Sequence, residues 1–368
     1  MMNKMVVANL VHRPIRSLIS IVAIALEVTL ILLIVGLCYG ILNDSKNRTS
    51  GVGFDVIVQP PGSSFFQAIG GAPVSEKIAD VLRGMPHVKV VSPVVWQIAT
   101  GGGLEVIDGI DIGSFEALGG PFRYLHGGPF HGPDDLLVDD FIARQRHVKV
   151  GDAMEILNHQ FHICGIVENG RGARKFVPMA TMQDLIGAKD KASVFYLKLD
   201  NPASTDAVVE AVKNQPGMEK YVVRSMEEYL SMMTPSNLPG FRPFIAVVIG
   251  VSLVIGFLVI FQSMYTAVME RTREIGILKS MGASKFYVVN LVLRETVLLA
   301  VAGIIVGIAF SMLARIGIQQ RWPLVHIDGS TDWMIRATLV AIVGATVGAL
   351  YPAYKAAQKD PIDALAYE

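Results

Sequence analysis

Four stretches of the chain are apolar for long enough to cross a bilayer, whose ~30 Å hydrocarbon core takes ~20 residues of helix. Residues 18–42 hold a single charge, Glu27, in 25 positions, and residues 244–269 hold none in 26. The third, 296–312, extends back to about Tyr287. The fourth, 337–354, is shorter and rich in Val, Ala and Gly, as closely packed membrane helices are. This pattern predicts an integral membrane, α-helical protein with transmembrane helices at 18–42, 244–269, 287–312 and 335–354. An extracytoplasmic α+β domain, 43–243, is inserted between helices 1 and 2, and a short external loop, 313–334, joins helices 3 and 4. A cleaved signal peptide would have a core of ~7–15 residues and a small-x-small cleavage site. The first stretch has neither, so it reads as a membrane helix.

In the inserted domain the period changes. Residues 54–59, 88–95, 152–157, 161–167 and 193–199 are β-rich runs between Gly, Pro and Asn turns, and 75–83, 204–213 and 225–232 have helical spacing. Ser75 is placed to cap the first of these helices. Gly-rich turns concentrate in 108–185, which predicts two lobes with the second over that range.

Composition then sets the orientation. The 368 residues are 52% hydrophobic and 17% charged, with 32 basic and 32 acidic side chains. A nucleic-acid binder would carry a basic excess, so that class is excluded. The N-terminal flank 1–17, the loop 270–286 and the tail 355–368 together carry nine Lys and Arg, whereas the loop 313–334 carries only Arg315 and Arg321. By the positive-inside bias both termini and the loop 270–286 are cytoplasmic. Cys38 falls in the first membrane helix and Cys164 in the external domain, so no intrachain disulfide is expected.

No catalytic constellation emerges. His126 and His131, and His159 and His162, lack a further ligand at metal-site spacing. Asp134, Asp135, Asp139 and Asp140 read as solvated turns. Gly101–Gly103 is not followed by Lys-Ser or Lys-Thr, and no phosphate-binding loop, GxSxG or HExxH motif occurs. The expectation is a non-catalytic chain that binds no cofactor or metal of its own.

The loop after the second helix is the specific feature. It reads Glu270-Arg-Thr-Arg-Glu-Ile-Gly-Ile-Leu-Lys-Ser-Met-Gly-Ala-Ser284: a charged stretch, an amphipathic turn and a Gly-Ala-Ser break. A short rigid helix on the cytoplasmic face can carry force from a docked partner; a charged membrane-edge loop is the plainer reading. The segment resembles the coupling helix of permeases in the MacB/FtsX family of ATP-binding-cassette transporters, the type VII-like class. The resemblance assigns that role to Glu270, Arg271, Arg273, Glu274, Ile275, Gly276, Lys279, Met281, Gly282 and Ala283. The closing segment from Tyr351-Pro-Ala-Tyr-Lys-Ala-Ala to Asp363-Ala-Leu365 is similar to the family's C-terminal signature. Asn9–Ser17 resembles its amphipathic N-terminal helix.

What the resemblance implies is a homodimeric permease in the cell membrane, driven by a separate cytoplasmic ATPase that uses ATP and Mg. A periplasmic adaptor or outer-membrane component is a further partner the family admits. Such proteins resemble mechanical transmitters that move an external domain and export or extract an amphiphile (lipoprotein, lipid, haem, peptide or drug). The competing class is FtsX-like signalling, which activates cell-wall hydrolases without moving cargo. The first two helices, at ~1.5 Å per residue, reach ~38 Å. That is consistent either with a stalk continuing outward or with tilt.

Glu27 is the odd residue. A carboxylate at the bilayer centre costs roughly 2.5–3.5 kcal/mol on insertion scales. Ser20 and Cys38 lie on nearly the same face of an ideal helix. Three readings stand side by side: contact with substrate, a structural hydrogen bond between helices, and pairing with a basic neighbour. Gly36 with Gly40, Gly303 with Gly307, and Gly344 with Gly348 permit close helix packing, within one subunit or at a dimer seam; the first helix is the preferred seam. Arg294-Glu295 reads as the cytoplasmic edge of the third helix.

Overall fold

The computed structural model describes residues 14–63, 72–99, 105–237 and 240–359. Residues 1–13, Gly101–Gly103 and the last part of the closing signature lie outside these. The chain divides into two compact units, one made of Met1–Gly40, Gly240–Arg321 and Val325–Glu368, the other of Ile41–Pro239 with Trp322–Leu324.

The elements in chain order are α1 Pro14–Val52, β1 Val56–Gln59, β2 Val74–Ser75, α2 Ile78–Arg83, β3 Val88–Ala99, β4 Glu105–Ile110, α3 Ile112–Gly119, β5 Tyr124–Gly127, β6 Asp135–Asp139, α4 Asp140–Arg146, β7 Ala153–Ile156, β8 His159–Val167, β9 Lys175–Pro178, α5 Met179–Leu185, β10 Lys191–Ala192, β11 Val194–Leu199, α6 Thr205–Lys213, β12 Val222–Ser225, α7 Met226–Met232, α8 Phe241–Glu270, α9 Thr272–Ser280, α10 Lys285–Arg321 and α11 Thr331–Gln358.

In the first unit, α1, α8, α10 and α11 are each long and apolar enough to cross a membrane. They are longer than the hydropathy minima suggest. Helix α1 has 39 residues and is ~58 Å long at ~1.5 Å per residue. It passes through the polar stretch after residue 42 because that stretch contains no proline and its one glycine, Gly51, lies in the last turn, and it stops at Gly53, whose φ of 86° is left-handed. Helix α10 continues to Arg321, so the connection expected over 313–334 shortens to 322–330. Pro323 disfavours the helical region for Trp322 and ends it there. A stripe of small residues on α11, from Ala337 through Ala341, Gly344, Gly348 and Ala349 to Ala356, is buried at helical spacing. Ile24, Val28, Ile31 and Val35 of α1 enter the same core.

The second unit is built on one ten-stranded mixed sheet, in the order β12-β1-β11-β3-β4-β9-β6-β8-β5, with β7 also on β8. The pairs β4–β9 and β6–β8 are parallel. Residues alternate between two apolar faces, as the strand period requires. Val56, Val58, Phe195 and Leu197 join Leu82, Met182, Val208 and Val212 on one side. Ile57, Val194 and Tyr196 join Phe115, Leu118, Phe176 and Tyr229 on the other. The range 108–185 forms one end of this sheet, but β4 pairs with both β3 and β9. The sheet is therefore continuous, and the two lobes expected from the turns are a single unit. Ser75 does not cap α2: it pairs with Lys191 in a two-stranded ribbon, and the helix begins at Ile78. Asp111, Asp139 and Ser225 supply side-chain caps to α3, α4 and α7.

The last turns of α1 are tied to this unit by polar contacts. Asp44 pairs with Arg48 at 3.0 Å and Arg174 at 2.8 Å, and Arg174 reaches Asp139 at 2.8 Å. Arg48 and Arg171 donate to the carbonyls of Gly172 and Gly51. Lys175 pairs with Glu105. Asp108 is buried beside them: Oδ2 accepts the Ala173 amide at 3.2 Å, while Oδ1 has no partner. Burial drives its carboxyl up to about 7, against the Ala173 amide and the nearby Arg48 charge.

The sign of that shift predicts a pH effect. A folded-state acid that titrates above its unfolded value stabilises the fold least once ionised. Its contribution falls as pH rises from about 4 to about 7 and is level above that. Asp108→Asn is expected to raise the melting temperature most at pH 7–8, with the gain shrinking toward pH 4. Thermal unfolding of the full chain in detergent across that range, with hydrogen exchange of β4 and β9, measures it.

Candidate functional site

The segment 270–284, read from sequence as a loop or short helix, contains a separate short helix. Helix α8 ends where Arg271 leaves helical geometry, at φ −107° and ψ 17°. Helix α9 follows, and Gly282, at φ 96°, turns the chain into α10. Ser284 Oγ accepts the Tyr287 amide at 3.2 Å and so caps that helix.

Two polar anchors hold α9. Arg271, though charged, is buried, and its guanidinium donates to Glu295 Oε2 of α10 at 3.0 Å. Lys279 Nζ donates to the Ala357 carbonyl at 3.0 Å and to that of Lys359, at the end of α11. A cation at those last carbonyls also suits the helix dipole. Thr272 Oγ1 donates to the Met269 carbonyl at 2.8 Å. Ile275 and Gly276 turn inward with Arg271 and Thr272, whereas Arg273, Glu274, Met281 and Gly282 are exposed and Lys279 and Ala283 half-buried. Glu270 sits at the end of α8 beside a groove of about 780 Å³, whose other walls include Ile15, Ile19, Leu258 and Gln262. Ile277, Met281 (71% exposed) and Phe286 (77%), along and just beyond α9, are exposed, as are the charged Arg273, Glu274 and Lys285. Contiguous exposed apolar side chains with a charged rim mark interaction surfaces.

Glu295 is the residue that sequence reasoning missed. The sequence reads it as the cytoplasmic edge of the third helix; in the structure it is also buried and paired with a residue 24 positions away. The only available signal was a carboxylate on an otherwise apolar helix after an arginine-rich turn.

The second feature lies in the helix bundle. Glu27 is 4% exposed, and Oε1 has no hydrogen-bond partner. A Cβ on Gly256 of α8 would overlap its carboxylate, and one on Gly344 of α11 would stand 4.0 Å from Oε1. The side chain thus occupies a notch made by two glycines. Among the described residues no basic side chain pairs with it. Ser20 Oγ and Ser263 Oγ of α8 share a hydrogen bond of 2.6 Å, whereas Cys38 lies in the apolar core. Both cysteines are free.

The glycine pairs pack within the chain. Gly303 lies against Ile24 and the Ile21 carbonyl, and Gly307 against Ala25 and Val28. Thr29 Oγ1 donates to the Ala25 carbonyl at 2.7 Å and the Gly307 carbonyl at 3.1 Å. Gly36 and Gly40 abut the backbone of residues 326–328, and the Asp328 amide donates to the Gly36 carbonyl at 2.8 Å. The dimer seam expected at those two glycines is therefore filled by the chain itself. Of the histidines, His159 Nε2 meets Asp134 Oδ1 at 2.7 Å.

Four helices long and apolar enough to cross a membrane, an α+β domain inserted after the first, and a short anchored helix between the second and third are the architecture of a multi-pass membrane protein. A family model described as "MacB-like periplasmic core domain" matches residues 17–215, and one described as "FtsX-like permease C-terminal" matches 246–361. The chain belongs to the MacB/FtsX family of ABC transporter permeases. It is 25% identical over 393 residues to "Macrolide export ATP-binding/permease protein MacB" of Shewanella sp., covering 97% of this chain but only 59% of that one. "Uncharacterized ABC transporter permease YknZ" of Bacillus subtilis is 28% identical over 234 residues, covering 60% of this chain and 57% of that one. Among solved structures, the periplasmic region of MacB from Actinobacillus actinomycetemcomitans covers 52% of this chain and 97% of its own, at 13% identity and a TM-score of 0.39.

The glycine notch predicts an order of tolerance. Glu27→Gln keeps the shape that fills the notch and is expected to leave the melting temperature in detergent within a few degrees of the parent. Glu27→Trp and Gly256→Leu overfill it, which costs about 1–3 kcal/mol in a packed core. Both are expected to lower the melting temperature clearly, as thermal unfolding would show.

Proposed function

We propose that this chain is the permease subunit of an ATP-binding-cassette exporter of the mechanotransmission type. A separate cytoplasmic ATPase docks on α9, and two copies of the permease form the transporter, with both termini cytoplasmic and the sheet domain outside. ATP-driven closure displaces α9, and the displacement is carried by the long helices toward export or extraction of an amphiphile. The chain itself supplies no ATP site in this reading.

One observation carries the proposal: α9 is fixed on its inner side and open on its outer side. Arg271–Glu295 joins it to α10, and Lys279 joins it to the end of α11. A partner gripping Ile277, Met281 and Phe286 therefore pulls on two membrane helices at once. A segment held only by apolar contact would slide, because such contact is non-directional. The continuity of α1 from Pro14 to Val52 supports the mechanical reading.

The test is co-purification with the cognate ATPase and ATP turnover in nanodiscs. Met281→Glu and Phe286→Glu are expected to abolish association while leaving the permease folded. Arg271→Ala, which strands Glu295, is expected to preserve association but cut ligand-stimulated turnover at least tenfold, with a drop in melting temperature. Absence of any ATPase association would overturn the proposal. Association without a transported or stimulatory amphiphile would favour the signalling reading.

A further inference from the structure

At the end of the bundle opposite α9, a cavity of about 420 Å³ opens between α1, α10, α11 and residues 327–330. Its walls are mostly apolar, with Leu32 and Leu33 from α1 and Met312 and Ile316 from α10. Its polar end holds Arg315, Gln319 and Asp328. Gln319 Nε2 donates to the Ile327 carbonyl at 3.4 Å, and the Asp328 amide bonds to Gly36. These contacts hold the connecting segment against α1 and α10 and keep the cavity formed.

Arg315 is the group without an internal task. It is half-buried, and among the described residues it makes no hydrogen bond or ion pair. Its guanidinium rests against Gly329, where any side chain would collide with it. A half-buried guanidinium gains strongly from a planar oxyanion, because its fork of donors matches phosphate or carboxylate. Arg315 lies 30 residues beyond Lys285, ~45 Å along α10 at ~1.5 Å per residue, a depth suited to a lipid headgroup. Trp333, whose ring stacks with Arg336 at 5.1 Å, flanks the same opening, and tryptophan favours the membrane–water interface.

We propose that this cavity binds a phospholipid, held by its phosphate, from the leaflet opposite α9. Its phosphate meets Arg315, and one acyl chain lies along Leu32, Leu33 and Ile316. The inference rests on the four helices spanning a bilayer and is independent of ATPase docking.

Native mass spectrometry of the full chain in detergent tests it, with dioleoyl phosphatidylethanolamine, dioleoyl phosphatidylglycerol, dioleoylglycerol and inorganic phosphate as probes. Phosphatidylethanolamine is expected to bind one per chain, more tightly than dioleoylglycerol. Arg315→Gln is expected to weaken it roughly tenfold or more, with Arg315→Lys recovering part of the loss and both variants melting like the parent. Leu33→Trp, which fills the apolar end, should also weaken it. Equal affinity of parent and Arg315→Gln, or equal binding of dioleoylglycerol, would overturn the proposal. Phosphatidylglycerol is expected to compete for the same place, and displacement by millimolar inorganic phosphate would make the ligand a free anion and overturn the lipid assignment. Loss of ATPase association alongside intact lipid binding would count only against the docking reading.

Discussion

Close approach between helices that gain nothing from the hydrophobic effect is the constraint on which the first unit depends. In lipid, helices associate through packing and interhelical hydrogen bonds. Helix α1 meets that requirement on more than one side. Gly303 and Gly307 let α10 come close enough for Thr29 to bond the Gly307 carbonyl. Gly256 and Gly344 leave a space that the Glu27 side chain fills. The carboxylate is thus a shape element as much as a charge, and α8 and α11 cannot close on α1 without displacing it.

In the second unit polar contacts have a comparable role. Asp44 and Arg48, near the end of α1, engage Arg174 and Gly172, while Glu105 holds Lys175. Replacing such pairs by apolar residues often stabilises a protein, because desolvation offsets much of the attraction. Their value is directional: they set where the last turns of α1 meet the loop at 170–174. Burial lowers the ammonium of Lys175 from its usual range, opposed by the Glu105 carboxylate. Asp108, with one oxygen unpaired, is the expensive member of the group.

The membrane helices were legible because lipid demands unbroken apolar length, a signal that needs no partner. Their ends were less so: α1 and α10 continue through polar residues that are soluble but not helix-breaking, and they stop at Gly53 and before Pro323. In the second unit β1, β8 and β11 were visible from their β-branched and aromatic runs. β4, β6 and β9 were not, because each carries charged residues, such as Glu105, Asp139 and Lys175, whose partners lie far away in sequence. The same reason hid Glu295. A buried charge reads as a surface residue until its counter-ion is placed, and neither spacing nor composition places one 24 residues distant.

That blind spot bears on how α9 works. Its outward residues were recognisable as an exposed amphipathic segment, but the docking role proposed for it depends on the inward pair. Removing either partner of a buried ion pair leaves an uncompensated charge, typically costing 3–5 kcal/mol, whereas the intact pair adds little net stability over an apolar substitute. Arg271–Glu295 is therefore poorly explained as a stabilising device and better explained as a positioning one: it fixes the start of α9 to α10, while Lys279 fixes its end to α11. Apolar side chains in those places would hold the helix near the bundle without specifying its rotation. Rotation is what decides whether Ile277 and Met281 face outward, so the buried charges and the exposed side chains of α9 belong to one arrangement.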